Sequence, residues 1–436
     1  MTAQELSALV RTGDGLVHRR IFWDEEIYRL ELERIFTRCW LYLGHETQIK
    51  SPGDYFTTYM GEDPVIVWRD KHGKVRAYLN TCQHRGMKVC RADSGNASSL
   101  SCSFHGWTYS SEGELIGVPF FREVYGADLD RARWGLREVA KVTSYGGLIF
   151  GCWDAGSISL GDYLGDLRWY LDILIERPLG GLEVIPGMQR YKLPVNWKIQ
   201  AENFAGDTYH VISTHRWTAK LGLRPIGLEI PEGAFLERKA YALAFDHGHG
   251  LLETMFNSEA YEADLTAARR LDPEITDYIN ACHDRLEKRL SAKQAAVYSW
   301  GVGNIFPTFA IQNFQALRPV EFYVWQPRGP QRIDVWQWCA LDRGAPTKVR
   351  EQATRYFLRH QSAGGLFGED DTDNFEQLTA ATRGVIGQNC FSNYQMGLRH
   401  DASSDPKEYP GHFGFRMSEH CQREFYRYWA ERMAVD

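Results

Sequence analysis

Two short segments dominate the reading of this chain. One is Cys82-Gln83-His84-Arg85-Gly86 and the other Cys102-Ser103-Phe104-His105-Gly106-Trp107, with seventeen residues between His84 and Cys102. Each offers a thiolate and an imidazole at short spacing, so two loops of one small domain can bring four soft ligands to a point. Such a set suits tetrahedral zinc. It also suits a [2Fe–2S] cluster with two Cys on one iron and two His on the other. Mixed zinc sites usually group Cys with Cys and His with His. Here each loop supplies one of each, which favours the cluster over zinc and over four unrelated core residues. Histidine ligation raises the reduction potential above that of an all-cysteine cluster. Arg85-Gly86 and Gly106-Trp107 suit loops whose backbone N–H groups approach sulfide and whose aromatic ring excludes water.

Composition narrows the setting. Nine cysteines spread over 436 residues are an odd count and no small disulfide scaffold. Met1–Val10 carries no basic stretch followed by an apolar core, and no apolar run approaches the roughly 18 residues of a membrane helix. The expectation is a reduced, cytoplasmic protein with no membrane partner. A net charge of −6 argues against a general nucleic-acid binder, which needs a basic face. The length provides for two or three domains, or one large one.

Hydrophobic periodicity predicts a helical lead-in at 24–38, then a β-rich stretch from Trp40 to about Trp153. Asp70-Lys71-His72-Gly73 reads as a hairpin turn between two apolar runs. Helical patterns return at 160–175, 197–211, 265–297, 347–360, 373–382 and 418–433. Strands are expected at 322–325 and 333–338, either side of Arg328-Gly329-Pro330.

A second constellation lies in the 197–211 helix and just past it. Asn203, Asp207 and His210 are spaced by four and three and share one helical face. His215 is five residues further on and would point about 140° away on an unbroken helix. For both histidines to hold one metal the helix must end or bend between them, and Ser213-Thr214 permits that. Two histidines need one carboxylate to make the facial triad of a non-haem iron(II) oxygenase. The best candidate run is Gly368-Glu369-Asp370-Asp371-Thr372-Asp373-Asn374, which taken alone also suits an N-cap and dipole complement before a helix.

With both constellations in this order, the chain resembles the α subunit of the Rieske non-haem iron aromatic-ring-hydroxylating dioxygenases, and is most similar to the biphenyl and naphthalene dioxygenase group. The resemblance covers nearly all of the chain, including Arg19-Arg20-Ile21-Phe22, Ser362-Ala363-Gly364-Gly365-Leu366-Phe367, Gln395-Met396-Gly397-Leu398 and Tyr409-Pro410-Gly411. It implies an α+β protein: an all-β Rieske domain at 38–155, inserted in a catalytic domain of 1–37 and 156–436 with a central antiparallel sheet covered by helices. Carried over by position, Cys82, His84, Cys102 and His105 hold the [2Fe–2S] cluster. His210, His215 and Asp371 hold a mononuclear Fe(II), with Asp370 as a neighbour. Asp207 matches an acidic residue that links a cluster histidine of one subunit to an iron histidine of the next, and Asn203 an amide near the iron. Phe204, Thr208, Val211, Gln361, Leu366 and Phe367 match the substrate pocket. Gln361 departs from the aromatic residue often found at its position, which puts simple hydrocarbon specificity in doubt.

The implied reaction adds both atoms of O₂ to an aromatic ring to give a cis-dihydrodiol, with electrons from NAD(P)H through a reductase and a ferredoxin. Rival readings within the resemblance are a Rieske monooxygenase, an aromatic-acid (salicylate-type) hydroxylase and an angular dioxygenase of a heterocyclic arene. The implied assembly is a ring of three α subunits, with a small β subunit completing α3β3.

Overall fold

In the computed structural model the described residues are 3–126, 128–215, 240–254, 256–399 and 408–435. They divide into two units, Phe36–Leu160 and the combination of Met1–Ile35 with Gly161–Asp436.

In the first unit, Val65, Ile66, Val67 and Trp68 are all fully buried, which makes Asp63–Arg69 a central strand covered on both faces. It pairs antiparallel with Val75–Leu79 on one side and Asp54–Met60 on the other, and Ser94–Asn96 closes that sheet. The turn after it forms where expected. Asp70 accepts hydrogen bonds from the N–H groups of His72 and Lys74, both at 2.9 Å, and Gly73 takes the positive φ of 83° that a side chain would resist. Two three-stranded sheets complete the unit: Lys141–Tyr145, Leu148–Cys152 and Leu41–His45, then Leu115–Gly117, Thr108–Ser110 and Ser99–Ser101. The unit is all-β apart from single helical turns and the five-residue helix Phe121–Tyr125.

The second unit is built on a nine-stranded antiparallel sheet. Its long central strands, Val320–Pro327 and Ile333–Asp342, are buried along nearly their whole length because helices cover the sheet. The helix Trp197–Gly206 packs across the strands Val302–Ile305, His249–Thr254 and Val320–Pro327, and the helix His420–Ala434 packs on Trp197–Gly206 in turn.

Several helix boundaries differ from the periodic reading. The 197–211 pattern stops at Gly206, five residues early, at a position where a Cβ would collide with Cys421 of the C-terminal helix. A separate 3₁₀ turn, Tyr209–Ile212, follows. The 265–297 pattern is three helices, Glu259–Ala268, Pro273–Arg289 and Ala292–Val297, cut by Pro273 at an N-terminus and by a Ser291/Gln294 capping box. The 160–175 pattern breaks at Gly165 into Leu160–Leu164 and Leu167–Glu176. The acidic run does not precede its helix. That helix spans Leu366–Ala381, starting from an extended Gly365, so Asp370 and Asp371 lie inside its second turn.

A buried ion pair ties the N-terminal segment to the Trp197–Gly206 helix. Glu31 and Lys198 are fully inaccessible, with Lys198 Nζ donating to Glu31 Oε1 at 2.6 Å. Trp197 Nε1 and Trp429 Nε1 also donate to this carboxylate, each at 2.8 Å. Removing one partner leaves the other charge buried and uncompensated. Glu31→Ala is therefore expected to cost about 3–5 kcal/mol in urea unfolding, and Glu31→Ala with Lys198→Met to recover part of it. Equal losses in both variants would show that the stranded Lys198 charge is not what costs stability.

Candidate active site

The two Cys-His loops have the same backbone construction. In the first, Cys82 N–H donates to Met87 O at 2.7 Å and Gly86 N–H to Cys82 O at 2.8 Å. In the second, Cys102 N–H donates to Trp107 O at 2.8 Å and Gly106 N–H to Cys102 O at 2.9 Å. Gly86 and Gly106 both have φ of 74°, the left-handed turn that each loop needs and that glycine adopts without strain. The second loop is the connection of the hairpin formed by Ser99–Ser101 and Thr108–Ser110.

These loops bring all four candidate ligands together. The His84 and His105 rings lie 4.6 Å apart. Trp107 stacks on His84 at 5.0 Å and is itself buried. Burial pushes the Cys82 thiol up, against the Tyr109 hydroxyl and the His84 N–H, which favour its thiolate; the adjoining Cys102 adds to the rise. Both cysteines are buried while His105 is exposed, so the thiol side faces the core and the imidazole side faces outward. The Nδ1 of His84 is buried with no hydrogen-bond partner. Two adjoining thiols, two adjoining imidazoles and an orphaned ring nitrogen between them fit a cluster ligated half by Cys and half by His.

The second site forms between the end of the Trp197–Gly206 helix and the Leu366–Ala381 helix. His210 Nε2 lies 3.6 Å from Asp371 Oδ1, and His215 Nε2 lies 3.1 Å from the same oxygen. Ligand atoms of these three residues all fall within 4.8 Å of one another. Atoms bound to one small cation sit about 3 Å apart, so the three fit a shared ion after small adjustments. The α-helix ends at Gly206, and the 3₁₀ turn carrying His210 ends at Ile212, so the chain breaks between the two histidines beside Ser213-Thr214. Asn203, Asp207 and His210 nevertheless stay together: Asn203 Nδ2 is 3.4 Å from Asp207 Oδ2 and 3.3 Å from His210 Nδ1.

Both rings are held from behind. Asp207 Oδ1 accepts the His210 backbone N–H at 3.2 Å, and its Oδ2 lies 3.5 Å from His210 Nδ1. Asp370 Oδ2 lies 3.7 Å from His215 Nδ1. Each imidazole thus turns Nδ1 to a carboxylate and Nε2 to the centre, the arrangement that orients metal-bound histidines. Burial alone would lower the pKa of His210, but hydrogen bonding and charge from Asp207, with Asp371, raise it to about 9. Burial would raise the Asp207 carboxyl, and its bonds to His210 and Asn203 hold it below the ordinary value instead.

The pocket candidates are placed unevenly. Phe204 is buried against the sheet, 5.2 Å from the Tyr323 ring and 5.0 Å from that of Trp325. Phe367 meets the His215 ring edge-on at 5.4 Å. Thr208 is buried with its hydroxyl unpartnered, and Val211 is half-buried. Leu366 is 42 % exposed. Gln361 ends a π-helical turn, and its carbonyl accepts from Gln337 Nε2 at 2.6 Å. The sequence reading missed Glu321, Tyr323 and Gln337, which lie next to this region. A glutamate inside a wholly buried strand was the available signal. His283, Asp284 and Glu287 form another His-carboxylate group among the described residues, but His283 is stacked on Tyr261 at 4.0 Å and the two acids are exposed.

Residues 39–134 match the Rieske [2Fe-2S] domain family, and 161–435 match the ring hydroxylating alpha subunit catalytic domain family. The chain belongs to the ring-hydroxylating alpha subunits. It is 37 % identical over 435 residues to the benzene 1,2-dioxygenase subunit alpha of Pseudomonas putida, covering 98 % of this chain and 93 % of the relative. It is 38 % identical over 434 residues to the biphenyl 2,3-dioxygenase subunit alpha of Rhodococcus jostii strain RHA1, covering 98 % and 91 %. Among solved structures, naphthalene 1,2-dioxygenase with indole bound in the active site matches with a TM-score of 0.87 and 32 % identity, over 100 % of this chain and 95 % of that one. As a ring-hydroxylating alpha subunit, the chain is an oxidoreductase whose cofactors are a Rieske [2Fe–2S] cluster and a mononuclear iron, with O₂ as co-substrate. No helix among the described residues is long and apolar enough to cross a membrane.

Proposed function

We propose that this chain is the terminal oxygenase component of a multicomponent system, adding both atoms of O₂ to adjacent carbons of an aromatic ring to give a cis-dihydrodiol. NAD(P)H supplies the electron pair, so arene, O₂, NAD(P)H and a proton give the diol and NAD(P)⁺. The observation that carries the reading is the convergence of His210 Nε2, His215 Nε2 and Asp371 Oδ1 at one point, a set of three protein ligands that would leave an iron room for O₂. When bound, the iron supplies O₂ activation and the cluster supplies electrons one at a time.

The chain's own residues do the rest. Cys82, His84, Cys102 and His105 hold the cluster, within a Rieske domain of 38–155. His210, His215 and Asp371 hold the iron, within a catalytic domain of 1–37 and 156–436. Asp207 fixes the His210 ring and provides the link toward the cluster of a neighbouring subunit, while Asn203 steadies both. Phe204, Thr208, Val211, Gln361, Leu366 and Phe367 orient the ring and exclude water. A reductase and a ferredoxin deliver the electrons. Three α subunits form a ring, with β subunits completing α3β3. No cysteine is paired in a disulfide, and eight of the nine are buried, which supports a reducing, cytoplasmic location.

The test is product analysis with reductase, ferredoxin and NADH on biphenyl, naphthalene, dibenzofuran and salicylate. A cis-dihydrodiol from the first or second is expected. Monohydroxylated products alone, turnover of salicylate alone, or attack only at the oxygen-bearing carbon of dibenzofuran would each replace this reading with one of its rivals.

A further inference from the structure

A cavity of about 760 Å³ opens in the catalytic unit, a size that takes a small organic ligand. It is walled by the helix Glu259–Ala268, the helix Thr347–Tyr356 and the π-helical turn Phe357–Gln361 that follows it. Ala263, Ala267, Leu271, Leu317 and Tyr356 make much of its lining apolar. Among the described residues none of His210, His215 and Asp371 lines it. Its neighbour on that side is a ring: His360 lines the cavity and lies 5.6 Å from the Phe367 ring, which in turn meets His215 at 5.4 Å.

The cations on this cavity are not alike. Lys348 is paired with Asp272, and Arg355 with Glu351 at 3.1 Å. The guanidinium groups of Arg318 and Arg359 have no hydrogen-bond acceptor or ion pair among the described residues. Arg359 is exposed, so water serves it. Arg318 is half-buried, with its guanidinium carbon 4.9 Å from the Phe314 ring centre and 5.1 Å from that of Tyr356. Two aromatic contacts hold a planar fork in place and leave its N–H edge unanswered.

The chain supplies no carboxylate for that edge. Asp264, the buried acid on the cavity, already accepts from Tyr298 Oη at 3.1 Å and from the Ala316 N–H at 2.6 Å. Glu351 is taken by Arg355. A single guanidinium fork matches a single carboxylate in bidentate geometry. Glu259 and Glu262 also line the cavity, and their charge opposes a dianion such as a phosphate ester.

We propose that this cavity is an accessory binding site for a ring-bearing monocarboxylate, with the carboxylate paired to Arg318 and the ring on the apolar lining, separate from the oxygenation site. The ligand class is thus an aromatic or alicyclic monocarboxylic acid. It binds without presenting its ring to the iron ligands, because His360 and Phe367 stand between them.

The test is calorimetric titration of the iron-loaded oxygenase, without O₂, with 2-naphthoate and with its neutral isostere 2-naphthamide. 2-Naphthoate is expected to bind at least about tenfold more tightly, because the amide loses the charge-assisted pair with Arg318. Arg318→Gln is expected to bring the ratio of the two constants to about one. Protein stripped of mononuclear iron by a chelator is expected to keep the preference within about twofold. Equal or weaker binding of 2-naphthoate by the unmodified protein overturns the proposal and needs no variant to fold. So does a preference that persists in folded Arg318→Gln. A preference lost together with the iron overturns it as well, since the carboxylate is then held by the metal and not by this cavity.

Discussion

His210→Ala is expected to remove the mononuclear iron and abolish oxygenation while leaving the cluster's visible spectrum unchanged. The three ligand atoms meet at Asp371 Oδ1, and His210 Nε2 is one of them. Two of three protein ligands, on a site already partly exposed, hold an oxygen- and nitrogen-loving ion far more weakly. The cluster ligands lie in the other unit, so their sulfur and imidazole set is untouched. Iron and acid-labile sulfide analysis checks this. Iron should fall to the pair belonging to the cluster, with sulfide constant. Undiminished iron in the variant would refute the ligand assignment.

Asp207→Ala is expected to lower coupled turnover by about 100-fold or more, with the cluster spectrum intact. Its carboxylate is bound to His210 twice, through the backbone N–H and beside Nδ1. Loss of such a supporting group commonly costs 10–100-fold in metal affinity or activity. The proposed link toward a neighbouring subunit's cluster adds to that loss. Single-turnover measurement separates the two parts. An enzyme that keeps its iron but no longer passes electrons from reduced cluster to iron shows the link. One that loses iron shows orientation of His210 alone, and near-normal turnover removes both roles.

The metal chemistry was legible in the sequence because ligand spacing is local. Cys82 with His84 and Cys102 with His105 each lie in one tight turn, whose glycines were visible beside them. The break between His210 and His215 was legible and falls at the end of the Tyr209–Ile212 turn, whereas the earlier end of the α-helix at Gly206 was not. Gly206 packs so closely on Cys421 that a Cβ would clash, and no local pattern announces a contact between residues more than two hundred positions apart. The acidic run was read as lying before its helix, because Leu366 and Phe367 alone give too short an apolar pattern to announce a helical start. The Glu321–Tyr323–Gln337 cluster was missed for another reason. Strands buried on both faces show no alternation, so nothing in their pattern says which side chains turn toward the site.

Incubation under ¹⁸O₂ with an arene that is turned over, followed by mass spectrometry of the diol, tests dioxygenation most directly. The account predicts that both new oxygens come from a single O₂ molecule, so a mixture of ¹⁶O₂ and ¹⁸O₂ gives doubly labelled and unlabelled diol without the mixed species. A product with one labelled oxygen and one from water would contradict it.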